Sequence, residues 1–121
     1  MSSERYVIAG ARLADGTGTD LLVENGRIVE VGSGLSVAGA TVVDADGLIA
    51  LPGLVDLHTH LREPGFEQSE TVLTGSQAAA AGGFTSVFAM ANTSPVADTA
   101  GVVEQVLSLG QSAGYVTVRP I

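Results

Sequence analysis

The chain has no cysteine, only two histidines, and five basic residues against thirteen acidic ones. Without cysteine there is no disulfide support, thiolate zinc site, CxxC redox chemistry or cysteine nucleophile. Any metal must be held by His, Asp, Glu or another oxygen donor. The formal net charge is -8, and no cluster of basic side chains is available to follow a phosphate backbone, which argues against a nucleic-acid partner. A single Arg can still set a local field for an anionic substrate. MSSERYVIAG lacks the basic and long apolar regions of a signal peptide, and no apolar run is long enough to span a bilayer. A cytoplasmic protein with no membrane partner is therefore expected.

What is present is 121 residues with 45% apolar content, enough for one modest core and short for two. The texture changes near residue 50. From Tyr6 to Ile49 short apolar runs alternate with Gly and Asp turns. Asn25-Gly26 between LLVE and RIVEV is a strong two-residue hairpin signal, and Asp46-Gly47 marks another turn. Residues 1–50 are expected to form a small antiparallel sheet.

Residues 51–121 read as β-α-β-α-β. LVDLHTHL, TSVFAMA and YVTVRPI are strand candidates, the first two apolar enough for a parallel sheet covered on both faces. A helix is expected from about Ser69, as its cap, through TVLTGSQAAAAG to Gly82-Gly83. A second helix covers GVVEQVLSLGQSAG, with Asp98 as its expected cap. Three such strands close no barrel. Either the chain is a small open α/β domain or it opens a larger protein; the second is expected, because an apolar parallel strand at Ile121 normally needs a neighbour and a covering helix.

The chemistry concentrates in GLVDLHTHLREPG, residues 53–65. Residues two apart on a strand share a face, so His58 and His60 point together while Thr59 points away. Two imidazoles at the end of one strand suit Zn²⁺; the other reading is two core histidines satisfying local polar groups. A strand running into a loop is the usual place for chemistry in parallel α/β folds, which favours ligation. Asp56 shares the histidines' alternation and is expected to orient a ligand or the site. Arg62 is a donor fork for a carboxylate, a solvated loop charge, or a salt-bridge partner of Glu63 or Glu67. Glu63 itself has three readings: metal support, a pair with Arg62, or solvent. Pro64-Gly65 turns the loop. Asn92, at the end of TSVFAMA, is either a cap or a hydrogen-bonding group on the same rim as the histidines. The glycines form no phosphate-loop pattern.

DLHTHLREPG, AAAAGGFTSVFAMANTSP and GLIALPGLVD closely resemble bacterial dihydroorotases of the larger, type I class within the amidohydrolase superfamily. The resemblance spans nearly the whole chain. It implies an α/β fold: the start of a (β/α)₈ TIM-like metal-dependent hydrolase barrel over residues 51–121, preceded over 1–50 by part of a small β-sandwich domain. By the same resemblance His58 and His60 bind zinc, as one or two ions, while Arg62 and Asn92 bind the substrate carboxylate. The implied reaction is the reversible interconversion of N-carbamoyl-L-aspartate and L-dihydroorotate, with water, in pyrimidine biosynthesis. The remaining metal ligands and a late-strand catalytic Asp would lie beyond Ile121, so no catalytic residue is assigned within the chain and the chain alone is expected to be inactive. Homo-oligomer formation and association with aspartate transcarbamoylase are compatible with such a family. Two other readings stand beside this one: an allantoinase or dihydropyrimidinase-like cyclic amidohydrolase, and an inactive dihydroorotase-like assembly partner. Arg62 is the discriminating residue, since allantoinases typically lack an arginine there and dihydropyrimidinases act without this carboxylate clamp.

Overall fold

A computed structural model describes residues 4–121, which fall into two compact units divided between Pro52 and Gly53. The first unit is a single sheet. Strands β1 (Arg5–Arg12), β2 (Gly18–Glu24), β3 (Arg27–Gly32) and β4 (Thr41–Asp44) lie in the order β3-β2-β1-β4. Asn25 and Gly26 take φ of 50° and 76° between β2 and β3, as the twist of a two-residue hairpin requires. Both β1–β2 and β2–β3 are antiparallel.

The expectation of a purely antiparallel sheet fails at β4, which pairs parallel to β1 with Tyr6 opposite Thr41 and Ala9 opposite Asp44. Residues 33–40 carry the chain from one edge of the sheet to the other, so β4 returns in the direction of β1. A glycine bulge in β1 shifts the β1–β2 register between Ile8 and Ala11. Asp20 braces it: Oδ1 accepts the Gly10 N–H at 2.8 Å and Oδ2 the Leu35 N–H at 3.0 Å. Those two donors hold the Asp20 carboxyl below its ordinary value.

The second unit follows the expected β-α-β-α-β order: β5 (Leu54–Thr59), α1 (Val72–Ala81), β6 (Phe84–Ala89), α2 (Ala100–Ala113) and β7 (Thr117–Pro120). The three strands form a parallel sheet in the order β5-β6-β7. Its core joins Leu61, Val72, Val87, Val106, Val116 and Val118, with Ala79, Ala80, Phe84 and Leu109 packed against it. Small residues set how closely the helices approach. A Cβ at Gly110 would stand 2.6 Å from Cβ of Val118, so only glycine lets α2 lie this close to β7. The unit holds an open three-stranded sheet and no closed barrel among the described residues.

Both expected caps are displaced. Helix α1 is capped by Thr71, not Ser69: Thr71 Oγ1 accepts the Thr74 N–H at 3.1 Å and Thr74 Oγ1 accepts the Thr71 N–H at 3.0 Å. That reciprocal capping box needs a side-chain acceptor three residues on. Ser69 has Val72 there, and its own N–H is spent in a turn to the Phe66 carbonyl. At α2 the N-cap position falls on Thr99 with no side-chain hydrogen bond, and Asp98 does not cap the helix. No helix of the described residues is long and apolar enough to cross a membrane.

Candidate functional site

Parallel pairing brings the C-terminal ends of β5 and β6 to one rim. His58 is the penultimate residue of β5 and His60 follows its end. Their ring centroids are 5.1 Å apart, with the planes inclined at 70°. Two imidazoles therefore stand together, as spacing of two on an extended strand requires.

Asp56 does not stand with them. Between the pairs Asp56–Val87 and Thr59–Ala89, β5 advances three residues while β6 advances two. This one-residue bulge resets the alternation. Asp56 and Thr59 instead line a cavity of about 220 Å³ with Glu70, Gly75 and Val87, on the α1 side. Asp56 thus does not share the histidines' face as expected, yet it orients the site through the backbone. Its role is in the backbone: Oδ1 accepts the His58 N–H at 2.9 Å. That donor, first, with the Thr59 hydroxyl and the His58 charge adding to it, holds the Asp56 carboxyl below its ordinary value of 3.8. Asp56 pins the bulge that presents His58.

The loop after His60 is tied down at several points. Arg62 has a left-handed φ of 61°, unusual for a side chain of this size, and its carbonyl accepts the Phe66 N–H at 2.9 Å. Glu63 points into the fold, where Oε2 accepts the Val72 N–H at 2.7 Å in the first turn of α1. Glu67 Oε1 accepts the Gly65 N–H at 2.8 Å, which lowers the Glu67 pKa. Neither acid forms an ion pair with Arg62, whose exposed guanidinium has no carboxylate partner among the described residues. For Arg62 the loop salt bridge is absent among the described residues, which leaves the solvated charge and the free donor fork; Glu63 does not pair with Arg62, and its carboxylate accepts from the start of α1. Sequence reasoning missed this Glu63 cap because it joins residues nine apart across a loop with no periodic signal.

The loops following β5 and β6 also grip each other. The Pro64 carbonyl accepts the Ser94 N–H at 3.0 Å. A Cβ on Gly65 would overlap the Ser94 carbonyl oxygen and Cβ, so the approach needs glycine. Across the same junction, Asn92 Oδ1 lies 2.9 Å from Nδ1 of His60. His60, Arg62 and Asn92 therefore belong to one pair of interlocked loops, with His58 at the end of the strand that leads into them.

As a metal site the arrangement supplies two nitrogen donors. Among the described residues no group of three or more His, Asp or Glu side chains converges into a closed coordination shell. The donor chemistry suits a borderline-soft divalent ion with further ligands from elsewhere.

The profile of the dihydro-orotase-like family matches residues 47–121, more than half of the chain. The chain is 81% identical over 121 residues to the dihydroorotase of Leifsonia xyli subsp. xyli, covering all of this chain and 28% of that protein. With the Mycobacterium tuberculosis dihydroorotase it shares 51% over 117 residues, covering 95% and 27%. Among solved structures it is similar to L-hydantoinase (dihydropyrimidinase) from Arthrobacter aurescens, with a TM-score of 0.75 and 27% identity over 87% of this chain and 24% of that one. The chain thus spans about 28% of the length of the curated relatives it matches.

Proposed function

Because the chain belongs to the dihydro-orotase-like family, we propose that the whole protein is a dihydroorotase, interconverting N-carbamoyl-L-aspartate and L-dihydroorotate. In this reading the first unit is part of a small β-sandwich domain and the second opens a (β/α)₈ barrel. The observation that carries the choice of substrate is Arg62. It projects from a pinned loop two residues after His60, and both neighbouring acids are occupied by backbone N–H groups.

His58 and His60 would hold zinc, with ligands from the rest of the protein completing the site. When bound there, zinc supplies Lewis acidity for polarising an amide carbonyl and for making water nucleophilic near neutral pH. The chain's own residues bind and orient. The planar fork of Arg62 matches a carboxylate with two parallel hydrogen bonds, which fixes the substrate's angle as well as its position. Asn92 adds an amide donor from the adjoining loop. Glu63 and Gly65 hold the Arg62 loop against α1 and the Ser94 backbone, so the backbone that carries the fork is fixed before substrate arrives. Both dihydroorotate and carbamoyl-aspartate carry the carboxylate such a clamp needs, whereas dihydrouracil and allantoin do not.

The test is a substrate panel. Purified whole protein should open dihydroorotate and leave allantoin and dihydrouracil untouched. Turnover of either alternative with none of dihydroorotate would replace this reading by a related cyclic amidohydrolase.

A further inference from the structure

The two ring nitrogens of His60 are not equivalent in this fold. Nδ1 lies 2.9 Å from Asn92 Oδ1, across 32 positions of sequence, because β5 and β6 end on the same rim. With Oδ1 on that side the amide can only accept, which favours the tautomer with the proton on Nδ1 and the lone pair on Nε2. A neutral imidazole free in water favours the opposite tautomer. The NH₂ end of the exposed Asn92 makes no hydrogen bond among the described residues.

We propose that Asn92 works through both ends of one amide. Oδ1 holds His60 in the Nδ1–H form with Nε2 free for metal, while the NH₂ group, turned away from the imidazole by that bond, donates to the substrate carboxylate. Asn92 is then a positioning residue for the metal ligand as well as a binding residue. The same bond ties the β6 loop to the β5 loop, so metal geometry and carboxylate recognition share one hinge. The tautomer rests on Asn92 turning Oδ1, and not its NH₂ group, toward His60. The consequences for metal and substrate rest on the reading of His60 as a zinc ligand.

Asn92→Ala removes both ends of the amide, whereas Asn92→Asp keeps an acceptor facing Nδ1 and replaces the donor with a charge that repels carboxylate. The experiment uses whole protein with ¹⁵N-labelled histidine, stripped of metal by chelation. Spectra are taken at about pH 8.5. The His60 signals are identified by their loss in His60→Gln. Unsubstituted protein and Asn92→Asp should show protonated Nδ1 and a pyridine-like Nε2, and Asn92→Ala should move toward the Nε2–H form. In a zinc titration Asn92→Ala should weaken binding about tenfold or more, the scale on which such supporting hydrogen bonds act. Asn92→Asp should bind zinc like the parent and differ from it in a raised KM for dihydroorotate. Nε2–H in the unsubstituted protein, or a tautomer unmoved by Asn92→Ala, overturns the proposal. Zinc that leaves the His60 signals unchanged overturns the ligand reading itself, with the tautomer still decided by the metal-free spectra.

Discussion

Carboxylates near the histidines in sequence serve the backbone and leave the chemistry to others. Asp56 accepts the His58 N–H, Glu63 that of Val72 and Glu67 that of Gly65. The Asp56 carboxyl sits below its ordinary 3.8, first because of the His58 N–H. A carboxylate with a depressed folded-state pKa contributes stability that is present above the unfolded value and lost as pH falls through the folded one. Asp56→Asn keeps an oxygen for the N–H and loses the charge. Urea midpoints should therefore fall below the parent's at pH 6, and the gap should close as pH drops below about 3.8. A gap independent of pH would show that the charge of Asp56 does not stabilise the bulge. Arg62 is the complementary case, a left-handed non-glycine residue of the kind that costs about 1–3 kcal/mol and collects at functional sites.

At the scale of elements, helix α1 and the loop before it form one device. The helix begins with a Thr71–Thr74 box, and Glu63 adds an acceptor for the Val72 N–H, one of the donors a helix start leaves unpaired. Glu63→Ala should cost about 1–2 kcal/mol in urea unfolding, in the range of lost caps, and Glu63→Gln, which keeps an acceptor, should cost less. Equal stability of the alanine variant and the parent would remove Glu63 as the loop's anchor. The β-α-β-α-β order and the Asn25-Gly26 hairpin were legible in the sequence because each depends on local signals: apolar runs, alanines and turn pairs. The parallel return of β4 was not, because it depends on which edge residues 33–40 reach. Nor was the displacement of Asp56, since a bulge is a count of residues on two strands and no single strand records it. His58 and His60 kept their shared direction because Thr59, between them, lies beyond the bulge.

At the scale of the molecule, the chain presents one rim of a site and leaves much apolar surface uncovered. On the edge strand β5, Leu54, Val55 and Leu57 are 49%, 52% and 68% exposed. On the first unit's sheet Ile28, Val29, Val31 and Val42 are also exposed. An open parallel sheet with such an edge is the arrangement that parallel folds bury on both faces, which agrees with a chain spanning about 28% of its relatives' length. The central claim concerns the rim: paired histidines for metal and, independently of them, Arg62 for a carboxylate. Kinetics and zinc content of the whole protein carrying Arg62→Ala test it most directly. Losing a bidentate charged contact should lower kcat/KM for dihydroorotate by about 30-fold or more with zinc content unchanged. Loss of zinc in proportion to activity, or full activity without the arginine, would contradict the account.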